Sequence, residues 1–194
     1  MSTEADSDEA LMLRYADGDM AAFQSLYQRH RGGLYRYFLR QSDAGTCDEL
    51  FQDVWARVIQ ARKRYQPDAR FSTWLYTLAH NRLVDHWRQT GRRPLSESDI
   101  DACEQMDCAG TSPSDPLRLA GLRECIEQLL ALVASLPDMQ RQAFLLKHEA
   151  GLTLAQIAEA MQARTETTKS RLRYAMDRLR AAMPAECLEN SDHD

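Results

Sequence analysis

No apolar run in this 194-residue chain approaches the ~20 residues that a membrane span needs. Its first ten residues, MSTEADSDEA, are acidic and lack an apolar core, so no secretory signal is read there and the cytoplasm is the default location. No window alternates apolar and polar residues over a strand length, and there is no Asn-Gly or Asp-Gly hairpin turn. Those absences leave an all-α chain. Phosphate loops, Gly-x-Gly-x-x-Gly and His-Glu-x-x-His are also missing, so no motif demands a cofactor or a catalytic metal, and no enzyme is read. The five histidines are dispersed, and each is better explained as structural or solvated than as a ligand. The five cysteines are odd in number and scattered, which argues against a disulfide framework in a cytosolic chain. Cys103 and Cys108 could bind zinc or sense oxidants, but no second such pair accompanies them.

A positive net charge is lacking too. The formal charge is −5, which at first argues against nucleic acid. The distribution reverses that. Residues 1–10, 94–115 and 185–194 hold 14 of the 29 acids and no Lys or Arg. Residues 11–93 hold 14 Lys/Arg against 8 acids, and residues 116–184 hold 10 against 7. The two parts expected to fold are therefore basic, at +6 and +3, and acidic segments link and flank them. Charge per domain is the quantity that bears on phosphate binding.

Helical periodicity supplies the elements. Asp8 to Ala16 reads as a short helix ended by Asp17-Gly18, and Asp19 caps the next. Gly32-Gly33 should kink or break that second helix, since each interior glycine costs about 1 kcal/mol. Thr46-Cys-Asp-Glu49 reads as a capping box opening a helix to about Arg62, with Leu50, Val54 and Val58 inward. Residues 65–70 form a loop broken by Pro67. Residues 91–115, rich in acids and poor in apolar groups, form a flexible linker. Pro116 starts a helix with Leu119, Leu122, Ile126, Leu129, Leu130 and Val133 on its core face. A helix then runs from Pro137 to Glu149 and ends at Gly151. Thr153-Leu-Ala-Gln156 is a second capping box, and after the turn at 162–164, Thr165 caps a final helix to about Met183. The whole is two small helical domains, 8–93 and 116–189, joined by the acidic linker 94–115.

Two stretches point to nucleic acid. In FSTWLYTLAHNRLVDHWRQTGRR (residues 71–93), Phe71, Leu75, Leu78, Ala79, Arg82 and Leu83 fall on one side at about 100° per residue. Trp74, Thr77, Asn81, Asp85 and Arg88 fall on a second stripe. Aromatics beside cations suit unstacked bases, because every base offers a π face and every phosphate a charge. A buried bundle helix whose aromatics merely pack explains the same pattern. Further on, a short helix, a three-residue turn and a second helix have helix-turn-helix spacing. Thr167, Ser170, Arg171, Arg173 and Tyr174 lie outward near the start of that second helix, where base edges would be met, and Arg178 and Arg180 suit phosphates. A solvated basic face on a three-helix bundle is the plainer alternative.

These residues carry a resemblance. Residues 71–93 look like the promoter-melting, minus-ten-reading helix of RNA polymerase sigma factors of the extracytoplasmic-function (ECF) type. LPDMQRQAFLLKHEAGLTLAQIAEAMQARTETTKSRLRYAMDRLRAAM (residues 136–183) resembles their minus-thirty-five-reading domain. FQSLYQRHRGGLYRYFLRQ and DELFQDVWARV are similar to the start of their second conserved region. The resemblance spans residues 8–184 in order. It implies a non-enzymatic protein that binds core RNA polymerase and directs promoter recognition, melting and initiation. Asp48, Glu49, Gln52, Asp53 and Arg57 fall where the family meets the clamp helices of the largest polymerase subunit. The loop from Tyr65 to Arg70 falls where the family holds a flipped base of the single-stranded minus-ten element, and Trp74 and Asn81 match the family pattern beside it. Lys169, Ser170, Arg171 and Arg173 match positions on the helix that enters the duplex at the minus-thirty-five element. The acidic linker resembles the segment that threads the polymerase's nucleic-acid channels. An anti-sigma factor is a common further partner in the family. One departure stands out: the frequent Val-Gly-Thr-Val before Lys/Arg-Ser-Arg is Thr165-Glu-Thr-Thr168 here.

Two rivals stay open on the residues alone. One is a helix-turn-helix regulator that binds duplex DNA without joining polymerase. The other is an enzyme or metal sensor built on Cys103 and Cys108. The aromatic-rich 71–90 stretch favours the sigma reading, since a plain regulator does not capture melted strands.

Overall fold

The computed structural model describes residues 6–91 and 116–189. Among the described residues the regular structure is helical throughout, as expected. Four helices make an N-terminal unit: α1 (Asp8–Ala16), α2 (Met20–Leu39), α3 (Ala44–Ala61) and α4 (Phe71–Thr90), with a 3₁₀ turn at Arg62–Arg64. Five follow: α5 (Pro116–Ser135), α6 (Asp138–His148), α7 (Leu154–Ala160), α8 (Thr165–Ala182) and α9 (Ala185–Glu189). The linker expected over 94–115, with Cys103 and Cys108, lies outside the described residues.

Caps explain most of the boundaries. Ser7 accepts from the Ala10 N–H at 3.2 Å, and Asp19 accepts from Ala21 and Ala22 at 2.9 and 3.2 Å. The box expected from Thr46 and Glu49 does not form. α3 starts three residues earlier, with Asp43 accepting from both the Thr46 N–H and its hydroxyl, at 3.0 and 2.9 Å. Asp at the cap outcompetes the hydroxyl, and Glu49 is then free to turn outward. The box from Thr153 to Gln156 is present in both directions. Thr165 is the first residue of α8 rather than its cap: Arg164 holds that position without a side-chain bond. α4 has no cap of its own either. Glu9, 62 positions upstream on α1, accepts from the Phe71 N–H at 2.7 Å. Its burial raises its proton affinity, yet that bond, its own backbone N–H and the Ser7 hydroxyl hold its carboxyl below the usual value.

α2 runs without a break through Gly32-Gly33. Leu26, Leu34, Tyr37 and Phe38 are fully buried along it. Full burial of a side chain of that size contributes about 1.5–3 kcal/mol, more than the glycines cost. Leu50, Val54 and Val58 are fully buried as expected, as are Phe71, Leu75, Ala79 and Leu83 of α4. The core face expected on α5 holds only towards its end. Val133 is buried, but Leu122 and Ile126 are 39% and 41% exposed. The continuation to α9 was not expected, nor was the disulfide from Cys125 of α5 to Cys187 of α9.

Within the N-terminal unit α1 packs on α2, α2 on α3 and α3 on α4. In the second unit α6, α7 and α8 pack on one another, and α5 lies against α8. α4 also packs on α7, and the buried apolar residues form one cluster running through both units.

Candidate nucleic-acid and polymerase interface

Three surfaces gather the residues singled out from the sequence. The first is the outer face of α3. Cys47, Leu50, Val54 and Val58 turn inward, so the intervening positions turn out. Asp48, Glu49, Gln52 and Arg57 are exposed, and Asp53 is half-buried. Arg82 of α4 reaches across: its Nε donates to Asp53 Oδ2 at 2.6 Å and its Nη2 to Glu49 Oε1 at 3.1 Å. The Tyr35 hydroxyl donates to Asp48 Oδ1 at 3.0 Å. The carboxylates are thus aimed rather than free to rotate. Ile59, 43% exposed, adds an apolar spot further along the same helix.

The second surface is the 65–70 loop with α4. The Tyr65 ring stands edge-on to Trp74 at 5.1 Å and to Phe71 at 6.2 Å, and Phe71 lies 5.8 Å from Trp74. These pairings set the loop against the start of the helix. Tyr65 is buried, and burial, aided by the carboxylates of Glu9, Asp8 and Asp68, pushes its hydroxyl up to about 12. Its ring is packed against Phe71 and Trp74 at the start of α4. Trp74 and Asn81 are half-buried, and Arg70 and Arg88 are exposed. Arg88 meets Asp85 only at 3.7 Å, a surface pair of the kind that contributes about 0–1 kcal/mol. The Arg62-Lys63-Arg64 turn leads straight into Tyr65. The reading of site residues from sequence left this charge run out, although its three consecutive cations were the signal. Arg62 lies over the Tyr15 ring at 5.4 Å.

The third surface is the start of α8. Gln162, in the turn before it, has φ 50, a left-handed conformation that non-glycine residues adopt infrequently. The turn closes nevertheless: the Ala163 N–H donates to the Ala158 carbonyl at 2.9 Å. Thr168, Ala175 and Leu179 face inward. Thr167, Lys169 and Arg173 are exposed, and Ser170 and Arg171 are half-buried. The Arg173 guanidinium lies 5.1 Å from the ring centre of Tyr174, which is 52% exposed. α8 thus presents an exposed cation backed by an aromatic ring.

The sequence stripes on α4 missed one buried face. Thr73, Tyr76 and His80 are buried, although none belonged to the expected core stripe. Tyr76 and His80 look towards the second unit, a neighbour that periodicity within one helix does not reveal. Burial lowers His80 to about 4; the adjacent Gln142 opposes the shift, and the charge of Arg171 adds to it.

Residues 26–93 match the Sigma-70 region 2 family, and residues 132–181 match Sigma-70 region 4. The chain is 33% identical to the ECF RNA polymerase sigma factor SigK of Mycobacterium sp. (strain KMS) over 85% of its own length and 84% of that protein's. It is 29% identical to the ECF RNA polymerase sigma-E factor of Escherichia coli (strain K12), over 86% and 88% of the two chains. In fold it resembles CnrH, solved in complex with the cytosolic domain of CnrY, with TM-score 0.65, 20% identity and coverage of 96% and 99%. It also resembles the sigma factor RpoE of Bartonella quintana, solved with the anti-sigma factor NepR, with TM-score 0.59, 18% identity and coverage of 86% and 96%. Two matched regions in the right order, and 33% identity over the aligned 85% of the chain, mean that this protein belongs to the ECF family of RNA polymerase sigma factors.

Proposed function

We propose that the chain directs core RNA polymerase to promoters through these three surfaces, one for each contact. Residues 8–93 bind core and the minus-ten element, residues 94–115 link, and residues 116–189 bind the minus-thirty-five element. The aimed carboxylates of α3, with Gln52 and Arg57, meet the clamp helices of the largest subunit. Single-stranded minus-ten DNA lies along the 65–70 loop and the outer stripe of α4. There Trp74 offers a ring to stack on, Asn81 reads a base edge, and Arg70, Arg88 and the 62–64 turn hold phosphates. Tyr65 keeps the loop in shape. The minus-thirty-five duplex receives α8 in its major groove, where Lys169, Ser170, Arg171, Arg173 and Thr167 face base edges and backbone. An anti-sigma factor is a fitting further partner, since CnrH and RpoE were each solved with a second protein. Sigma factors are in general initiation factors rather than enzymes. Among the described residues no helix is long and apolar enough to cross a membrane.

The carrying observation is the aromatic cluster of Tyr65, Phe71 and Trp74 beside exposed cations, because duplex reading alone has no use for it. Trp74→Ala and Asn81→Ala should impair promoter opening, read by permanganate reactivity of unpaired thymines, while leaving core binding near wild type. Equal loss of both activities would count against the assignment.

A further inference from the structure

The 65–70 loop is tied near both of its ends to α1, a helix that lies before the matched Sigma-70 region 2, which begins at residue 26. The first tie follows from what the backbone lacks. The first N–H groups of a helix have no partner within it. Arg70, at the cap position of α4, gives them no side-chain bond. Glu9 of α1 supplies one instead, its Oε1 accepting from the Phe71 N–H at 2.7 Å. A carboxylate there also faces the positive end of the helix dipole. At the other end of the loop, the Arg62 guanidinium that opens the cationic turn lies 5.4 Å from the ring centre of Tyr15, again on α1. Glu9 and Tyr15 are six positions apart, roughly 9 Å along the helix axis. One short helix therefore sets the points from which the loop leaves and to which it returns.

α1 is itself anchored. Leu11, Met12 and Tyr15 are buried. Asp8, beside Glu9, accepts from Arg29 of α2 at 2.8 Å and meets His30 Nε2 at 2.7 Å. The His30 ring lies 5.2 Å from the Phe71 ring. Phe71 is thus held twice from distant parts of the chain, by its N–H through Glu9 and by its ring through His30. Trp74 follows about one turn along α4, its ring 5.8 Å from that of Phe71. A shift at Phe71 is therefore passed to the ring assigned above to stack on a base.

We propose that Glu9 is a positioning residue for the capture of melted minus-ten DNA, holding the start of α4 and the loop before it in the shape that the strand meets. The inference rests on the minus-ten surface assigned above. Glu9 touches no DNA in this account and acts through the Phe71 backbone. A surface already in its bound shape need not be ordered when the strand docks, and such ordering weakens binding. Glu9→Gln keeps an acceptor oxygen within reach of the Phe71 N–H, whereas Glu9→Ala removes it.

The test uses the full chain with saturating core polymerase. The probe is the fluorescein-labelled non-template strand, across the minus-ten element, of a promoter that the wild type transcribes. Anisotropy gives strand affinity, and a separate titration gives affinity for core. Glu9→Ala should weaken strand binding about tenfold, the scale of a lost helix cap, with core affinity unchanged. Glu9→Gln should stay near wild type. Wild-type strand binding by Glu9→Ala, or equal losses for strand and core, would overturn the proposal. A residue that merely stabilised α4 could be replaced by a local cap, and Arg70→Ser supplies one. In the Arg70→Ser background, Glu9→Ala should still weaken strand binding by a similar factor, and no further loss there would overturn the positioning role. If the wild type transcribes nothing with core, or its complex with core holds no strand, the minus-ten reading fails and takes the role of Glu9 with it. If the wild type holds the strand and Glu9→Ala holds it equally, only the role of Glu9 falls.

Discussion

Arg82 of α4 donates to Asp53 of α3 at 2.6 Å, so the helix proposed to grip melted DNA also orients the face proposed to meet polymerase. The same guanidinium holds Glu49. The Arg82 side chain is 11% exposed, whereas Glu49 and Asp53 are 62% and 44% exposed. Its removal therefore leaves both acids able to rehydrate, which limits the stability cost to about 1 kcal/mol. The larger effect falls on binding, because carboxylates that must be ordered on docking bind more weakly than carboxylates already in place. Arg82→Ala should weaken core polymerase several-fold in a fluorescence titration at low salt, with Arg82→Lys intermediate. Wild-type affinity in Arg82→Ala would remove the positioning role.

His80 makes stability depend on pH in a defined window. An unfolded histidine titrates near 6.5, whereas burial lowers the folded group to about 4. The unfolded chain therefore binds a proton more readily. Stability is complete above about pH 6.5 and falls as pH drops towards 4, by up to about 3 kcal/mol. His148, also lowered by burial, acts in the same direction. Asp8 is lowered chiefly by the His30 hydrogen bond and Asp19 chiefly by that of Arg14, so their losses come below 3.8. Urea melts between pH 7 and 4.5 should show the decline, and His80→Gln should flatten it. A pH-independent midpoint in the wild type would contradict a buried neutral His80.

The Cys125–Cys187 bridge closes a loop with a sequence separation of 62 and ties α9 to α5. A closure of that length stabilises by about 4 kcal/mol on the chain-entropy account. Both cysteines are half-buried, so a dithiol reductant can reach them. Dithiothreitol should lower the melting temperature of the wild type and leave Cys125→Ser unaffected. A wild-type melt indifferent to reductant would mean that the bridge does not stabilise the fold.

Much of this was legible in the sequence because the determining interactions are local. Asp19, the Thr153–Gln156 box and the apolar spacing of α3 each act within a turn or two, and each is found where its residues predict it. What escaped depends on residues distant in sequence. The cap of α4 comes from Glu9, and the burial of Tyr76 and His80 comes from the second unit. Gly33 reads as a helix breaker until the Glu149 carbonyl oxygen is seen 3.2 Å from where its Cβ would lie. The disulfide joins residues whose spacing carries no pattern. Leu122 and Ile126 show the converse, apolar periodicity on a helix face that stays exposed. The stripes on α4 and the outward residues of α8 stood out through type and spacing, and the α3 residues through the family resemblance, but the packing of Tyr65 edge-on to Trp74 at 5.1 Å joins side chains nine positions apart across a loop.

The central claim is tested most directly by run-off transcription with purified core polymerase, with and without this chain, on a library of promoter sequences. The account predicts transcripts only when chain and core are both present. They should come from templates that share two short elements at a fixed spacing, the downstream one melted. Absence of any chain-dependent transcript, or transcripts with no common pair of elements, would contradict it.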